Sequence, residues 1–326
     1  MHYATRIMSG LLAISAGLGC NSGDDALPTT PPTKVELVTD AGFRDAGAVA
    51  VSPDGKTFYV AASDEEGQPA IFSVDVASGS VTALHTGEPL LYPSDIEVSC
   101  DGSQLFVTDM GLGSADDTEF DDTDEDETPV ATGGIQLLAA DGSSISTLDS
   151  TGIARAAGIV LGSDCDTLFA TGWTDGLQPA LFTVPSAGGA ATVIHEGEPL
   201  VSPTGVHVDS DDVAWVMDHL ALNAEGEGML FAITLEGEVF EVISALDMGR
   251  HGGVSLVPGG QTAVMPVLND DGEGQLVTAN TVSGDVSRID TPHIAHPTGV
   301  AAARNAPVMA IAGEQSISIA TFSDSE

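Results

Sequence analysis

Three arginines stand at one recurring position, in Arg44-Asp-Ala-Gly47, Arg155-Ala-Ala-Gly158 and Arg250-His-Gly-Gly253. The chain holds only 8 Lys and Arg against 49 Asp and Glu, a formal net charge of −41, so cations repeated in register form a pattern. Guanidinium groups bind carboxylate or phosphate through paired hydrogen bonds, and three around one axis would make an anion site. The structural alternative is that each pairs with a nearby acidic loop and holds neighbouring elements together. Such loops lie at Asp64-Glu65-Glu66, residues 116–127, residues 223–227 and Asn269-Asp270-Asp271-Gly272-Glu273.

A second group comprises His219, His251 and His296 with Asp95, Asp109 and Asp218. A histidine beside a carboxylate serves as an acid–base pair or as metal ligands; otherwise these are polar groups lining a wet channel. The ligand-binding candidates are therefore Arg44, Arg155, Arg250, His251, His296 and Asp95. Calcium is the cation these acids would accommodate, but it needs about six to eight oxygens at a defined spacing. Asn269 and Asp271, in a stretch with a glycine for the turn, are candidates for it, together with Asp109 and Asp218. The acidic run DDTEFDDTDEDETP, in the insert 111–133, has oxygens without such spacing and reads as a solvated loop. No HExxH, GxSxG, CxxC or phosphate-cradling glycine motif occurs. His85 and His195 end equivalent strands before GEPL and read as repeat-structural.

The elements that must position these groups are short β-rich runs separated by turn signals. In one unit, GAVAV (47–51), TFYVA (57–61), AIFSV (70–74) and SVTAL (80–84) supply four strands, within the period of about 45 residues of a propeller blade. Inner strands begin near Gly47, Asp95, Gly158, Gly205, Gly253 and Gly299, which gives six units. The last unit lacks a fourth strand, and Lys34-Val35-Glu36-Leu37-Val38-Thr39 supplies one from the other end. Closure of this kind removes exposed sheet edges. The expected fold is all-β, a six-bladed β-propeller of four-stranded blades. Its blades would lie at about 46–90, 91–152, 153–200, 201–246, 247–295 and 296–326 with 34–39.

A longer period sits above the blades. HTGEPLLYPSDIEV (85–98) recurs 110 residues later as HEGEPLVSPTGVHV (195–208). Arginine leads into units one, three and five; Pro93-Ser-Asp95, Pro203-Thr-Gly205 and Pro297-Thr-Gly299 lead into the others. Duplication of a two-blade unit produces this alternation.

Arg6 precedes an apolar run at residues 7–18, the length of a signal-peptide core and too short to span a bilayer, which takes about 20 residues. Gly17-Leu18-Gly19-Cys20 then resembles a bacterial lipobox, which implies a signal peptide over 1–19, lipidation at Cys20 and a tether over 20–33. An ordinary secretory signal, giving a periplasmic or secreted protein, is the alternative. The chain is exported in either case. The remaining cysteines, Cys100 and Cys165, form an even pair in matching turns and suggest a disulfide in an oxidising compartment. The acidity excludes nucleic acid as a partner, and 5% aromatic residues are too few for a stacking platform.

Pro203-Thr-Gly-Val-His-Val-Asp209 with Val213-Ala-Trp-Val-Met-Asp218, and Ser52-Pro-Asp-Gly-Lys56 with Phe58-Tyr-Val60, resemble the six-bladed propellers of the SMP-30/gluconolactonase and NHL-repeat type. That resemblance implies the propeller fold over 34–326. In gluconolactonase-like members it implies a divalent metal held by Glu, Asn and Asp beside the inner-strand glycines. Here the matching positions are Ala46, Ala157, Thr204, Gly252 and Thr298, with Asp45 and Asp95 as the acids. The reading leans away from an enzyme. It favours a cell-envelope-tethered recognition or scaffold module for a small anion or a protein partner. The alternative is a divergent metal-dependent hydrolase or lyase.

Overall fold

The computed structural model describes residues 27–111, 132–221, 227–247, 252–269 and 271–322. Their regular structure is entirely β: twenty-four strands form six antiparallel sheets of four, a six-bladed propeller. Blade 1 is β2 (Arg44–Val51), β3 (Thr57–Ser63), β4 (Pro69–Asp75) and β5 (Val81–Thr86). Blade 2 is β6 (Pro93–Val98), β7 (Gln104–Gly111), β8 (Thr132–Ala139) and β9 (Ile145–Leu148). Blade 3 is β10 (Ile153–Leu161), β11 (Thr167–Thr174), β12 (Pro179–Pro185) and β13 (Thr192–Glu196). Blade 4 is β14 (Pro203–Val208), β15 (Ala214–Asp218), β16 (Glu227–Ile233) and β17 (Val239–Asp247). Blade 5 is β18 (Ser255–Leu256), β19 (Thr262–Leu268), β20 (Gly274–Asn280) and β21 (Val286–Asp290). Blade 6 is β22 (Pro297–Ala302), β23 (Val308–Gly313), β24 (Ser316–Thr321) and, from the other end of the chain, β1 (Lys34–Thr39). The ring closes through β1 antiparallel to β24, with Lys34 opposite Thr321 and Leu37 opposite Ser318.

Burial explains the strand sequences. The second strand of a blade is packed on both faces, so TFYVAAS is buried at five consecutive positions and reads as a continuous apolar run. The outer strand meets solvent, and VTALHT has no fully buried residue. Apolar clusters lie between blades: Tyr59, Ala61 and Ile71 of blade 1 pack with Ile96, Leu105, Val107 and Leu138 of blade 2.

The lower face carries the turns that leave each inner strand, and serine and aspartate build them. Ser52 Oγ accepts the amides of Lys56 and Thr57, and Ser99 Oγ accepts that of Gln104. On this face Cys100 and Cys165 are joined, with Cα atoms 5.9 Å apart, so a disulfide links blade 2 to blade 3. Part of the segment read as tether is also docked here. Gly259 N donates to Pro28 O at 2.8 Å and Thr262 Oγ1 to Thr29 O at 2.7 Å. A Cβ at Gly259 would lie 2.6 Å from Pro28 O, so glycine is what lets the segment lie against this turn.

Candidate functional site

The inner strands pack so closely round the axis that Gly158 and Gly299 leave no room for a side chain. A Cβ on Gly158 would lie 2.1 Å from Thr204 O, and one on Gly299 would lie 2.9 Å from Ala48 Cα. The alternation of blade types has its physical reason at this level. In the even blades a hydroxyl beside the axial position donates to a carbonyl of the next blade. Ser94 Oγ reaches Ala157 O at 2.9 Å, Thr204 Oγ1 reaches Gly252 O at 3.1 Å, and Thr298 Oγ1 reaches Ala46 O at 2.8 Å. Three identical latches thus bind blade 2 to 3, 4 to 5 and 6 to 1.

Asp109 and Asp218 occupy another repeated position, at the ends of second strands. The Asp109 carboxylate accepts the amides of Leu91 (2.7 Å), Tyr92 (3.0 Å) and Gly111 (2.8 Å). Asp218 accepts those of Val201 (2.8 Å), Ser202 (3.0 Å) and Leu220 (3.1 Å). Burial pushes the Asp218 carboxyl above the ordinary carboxylate range, against the pull of those amides. Both acids hold the connection between blades in shape. His85 and His195 belong to the same connections, with Nε2 at 2.9 Å from Glu88 O and 3.1 Å from Glu198 O. His219 Nδ1 lies 3.0 Å from Ser202 O.

On the upper face, where chain enters the inner strands, Arg44 and Arg155 stand in blades 1 and 3. Arg44, the exposed first residue of β2, donates through Nη2 to the carbonyl oxygen of Glu65 in its own blade. Arg155 is half-buried in β10, opposite Trp173. Arg250, His251, Asp270 and Cys20 lie outside the described residues. A mouth cavity of about 660 Å³ opens beside blades 6, 1 and 2. It is lined by Asp45, Glu314, His296, Tyr92, Leu91 and Leu268 among others. His296 thus lines the same cavity as Asp45 and Glu314, while Asp109 and Asp218 are not among its lining residues. Asp45 and His296 both have positive φ, 51° and 45°, at the point where chain turns into an inner strand. Asn269 Oδ1 accepts the amides of Asp271 and Glu273 and so spends its oxygen within its own turn.

The central channel encloses about 340 Å³ and is lined by five ionisable groups, Asp95, Glu97, His207, Asp209 and Arg304, of which only Asp95 was a candidate from the sequence. Asp95 stands where the other five inner strands carry glycine, and its carboxylate accepts Ile96 N at 2.9 Å and Ile159 N at 2.8 Å. Burial pushes its carboxyl up to about 7, with those amides pulling the other way. One step lower, Glu97 pairs with Arg304, Oε1 to Nη2 at 2.7 Å, and the same Nη2 donates to Leu161 O at 2.7 Å. Arg304 follows β22 in blade 6, so it crosses the channel to blades 2 and 3. Burial raises Glu97, opposed by Arg304. His207 of β14 also lines the channel, and burial, with Arg304 adding to it, lowers the imidazole to about 4. It is therefore neutral at pH 7. The signal for these residues was a break in the repeat, since Asp95 and Glu97 are Gly205 and His207 110 residues later.

These residues do not fit the divalent metal of gluconolactonase-like propellers. Thr204 and Thr298 have committed their hydroxyls to carbonyls, and Ala46, Ala157 and Gly252 offer no side-chain ligand. Among the described residues, no three His, Cys, Asp or Glu side chains are grouped as a metal ion requires.

No protein-family model matches the chain, and no curated protein sequence matches it. Solved structures do. A gluconolactonase from Xanthomonas campestris, XC5397, superposes with TM-score 0.63 at 13% identity, over 93% of this chain and 99% of that one. A chain of the nidogen/laminin complex gives 0.60 at 15% identity, over 83% and 86%. TolB from Acinetobacter baumannii gives 0.57 at 13% identity, over 76% and 55%. Identities this low show the fold alone, a six-bladed propeller consistent with the SMP-30/gluconolactonase type.

Proposed function

We propose that this chain is a cell-envelope-tethered propeller that recognises a basic protein segment at its upper mouth and carries out no catalysis there. The observation that carries this reading is the use of the lactonase-type ligand positions as blade latches. What remains on the upper face is a cavity bearing Asp45 and Glu314 beside Leu91, Tyr92 and Leu268. Acids flanked by apolar side chains suit a lysine or arginine with an apolar neighbour, and the net charge of −41 steers such a partner inward. The docked Pro28 and Thr29 support the orientation this needs. From Cys20 to Leu27 the chain reaches about 25 Å at most, so a lipid there keeps the lower face towards the membrane and the mouth away from it.

The test is a titration of the protein with short peptides alternating lysine and leucine. Binding should weaken as salt rises, and Asp45→Asn with Glu314→Gln should lower affinity roughly tenfold. Lactone hydrolysis that depends on an added divalent cation, or peptide binding indifferent to both substitutions, would overturn the reading.

A further inference from the structure

The connections into blades 2 and 4 share a common frame and differ, among other places, where they face the channel. Residues 85–98 and 195–208 share the histidine, the GEPL turn and the proline before the inner strand, yet Asp95 faces Gly205 and Glu97 faces His207. Blade 6 has Gly299 and Ala301 at these places. Residues that hold blades together recur, because every two-blade unit has the same neighbours. Groups that occur once, all on the channel wall, answer to something in the lumen.

Two of them carry unused hydrogen-bonding atoms. Arg304 makes both its protein contacts through Nη2, so Nη1 and Nε have no protein partner among the described residues. His207 makes no side-chain hydrogen bond among them, and both groups line the same cavity of about 340 Å³. Glu97 Oε1 and Leu161 O both take Nη2, which each bidentate edge of the guanidinium needs, so Nη1 and Nε remain as single donors for an oxygen of a small anion. The rest of the wall, Val160, Ser255 and Ala301, is small and uncharged. A cavity of this size is at the small end of ligand pockets. We propose that the lower half of the channel receives a small carboxylate, held by single hydrogen bonds from the remaining Arg304 donors and from His207. The site is separate from the upper mouth, so either reading can fail without the other.

The ionisable groups facing the site are Asp95 and Glu97 from β6, His207 from β14, Asp209 just after it, and Arg304 after β22; the walls from β2, β10 and β18 contribute none. Asp209 is held by the Trp215 indole N–H at 2.9 Å. As pH falls from 8 towards 6, Asp95 takes up a proton and repels an anion less, while an anion beside His207 helps it to hold one. Affinity should therefore rise over that interval.

Calorimetric titration of the full chain with acetate and lactate, and with inorganic phosphate and glycerol as comparators, tests the proposal. The expected result is saturable binding of the carboxylates, tighter at pH 6 than at pH 8 and weakened roughly tenfold by Arg304→Lys, which keeps the charge beside Glu97 and removes the Nη1 and Nε donors. His207→Leu should weaken it as well, and it serves as the second variant should Arg304→Lys lower the melting temperature. Failure of both carboxylates to bind up to about 10 mM would overturn the proposal. So would equal binding of phosphate or glycerol, or affinities unchanged in both variants.

Discussion

Blades 2 and 4 contain the same connection twice, and the two copies show which residues build the ring and which do something else. In each, a histidine reaches a carbonyl three residues on, a leucine (Leu90 or Leu200) is buried, and an aspartate on the second strand gathers three amides. In each, a hydroxyl latches onto the next blade. The copies part company at the axis, where one presents Asp95 and Glu97 and the other Gly205 and His207. Packing thus holds one part of the segment constant and leaves the channel wall free to diverge. Sameness between copies marks structure, and difference marks the candidate site.

The largest expected effect lies in the shared part. Asp109→Ala strands three amide donors, those of Leu91, Tyr92 and Gly111, and Asp218→Ala strands those of Val201, Ser202 and Leu220. Each substitution should cost about 4 kcal/mol, with the two losses alike within about 1 kcal/mol, as read by urea unfolding. A much smaller loss at one of the two would show that the copies are not equivalent, and would restore a separate role for that aspartate.

Much of this was legible in the sequence. The six blades, the strand borrowed by blade 6 and the alternation of arginine and proline all appear as spacing, because each blade must repeat the same burial and the same turns. The role of the alternation was not legible. Arginine drew the eye, yet Arg44 turns to a carbonyl of its own blade while the less conspicuous Ser94, Thr204 and Thr298 make the latches. Side-chain direction in a strand alternates, but the sequence does not say which parity faces the axis, so Glu97 and His207 passed as ordinary polar positions. Arg304 lies in a turn after its strand, and only the closed ring shows that it crosses to blades 2 and 3. The cysteine pair was visible as a pair, but the ring is what brings the two turns together.

The unshared part gives the next effect, as a pH dependence. The folded-state value for Asp95 is raised from 3.8 to about 7, so the native state holds a proton there that the unfolded chain has already released. Its contribution to stability is full below about pH 4 and declines as pH rises towards 7, at up to roughly 1.4 kcal/mol for each unit. Between pH 5 and 7 the melting temperature of the native sequence should therefore include a falling component that Asp95→Asn lacks. Parallel curves for the two proteins would mean that lumen water solvates the carboxylate, and would make the axial difference between blades 2 and 4 a matter of shape alone.

The smallest effect separates the latches themselves. Thr204→Val and Thr298→Val each remove the only side-chain hydroxyl that the described residues place on Gly252 O or Ala46 O, and each should cost about 1 kcal/mol. Ser94→Ala should cost less than half of that, roughly 0.4 kcal/mol, because Ala157 O keeps a second hydroxyl, Thr108 Oγ1 at 2.7 Å. The blade 2 to blade 3 seam is in addition held by the disulfide, which the blade 4 to blade 5 seam lacks. Unfolding under reducing conditions should therefore bring the Ser94 and Thr204 variants no closer together, since the doubled hydroxyl is intact in both states of the cysteines. A larger loss at Ser94 than at Thr204 would mean that Ser94 acts through its other acceptors, Ala156 O and Thr108 Oγ1, and that the even blades are latched in two different ways.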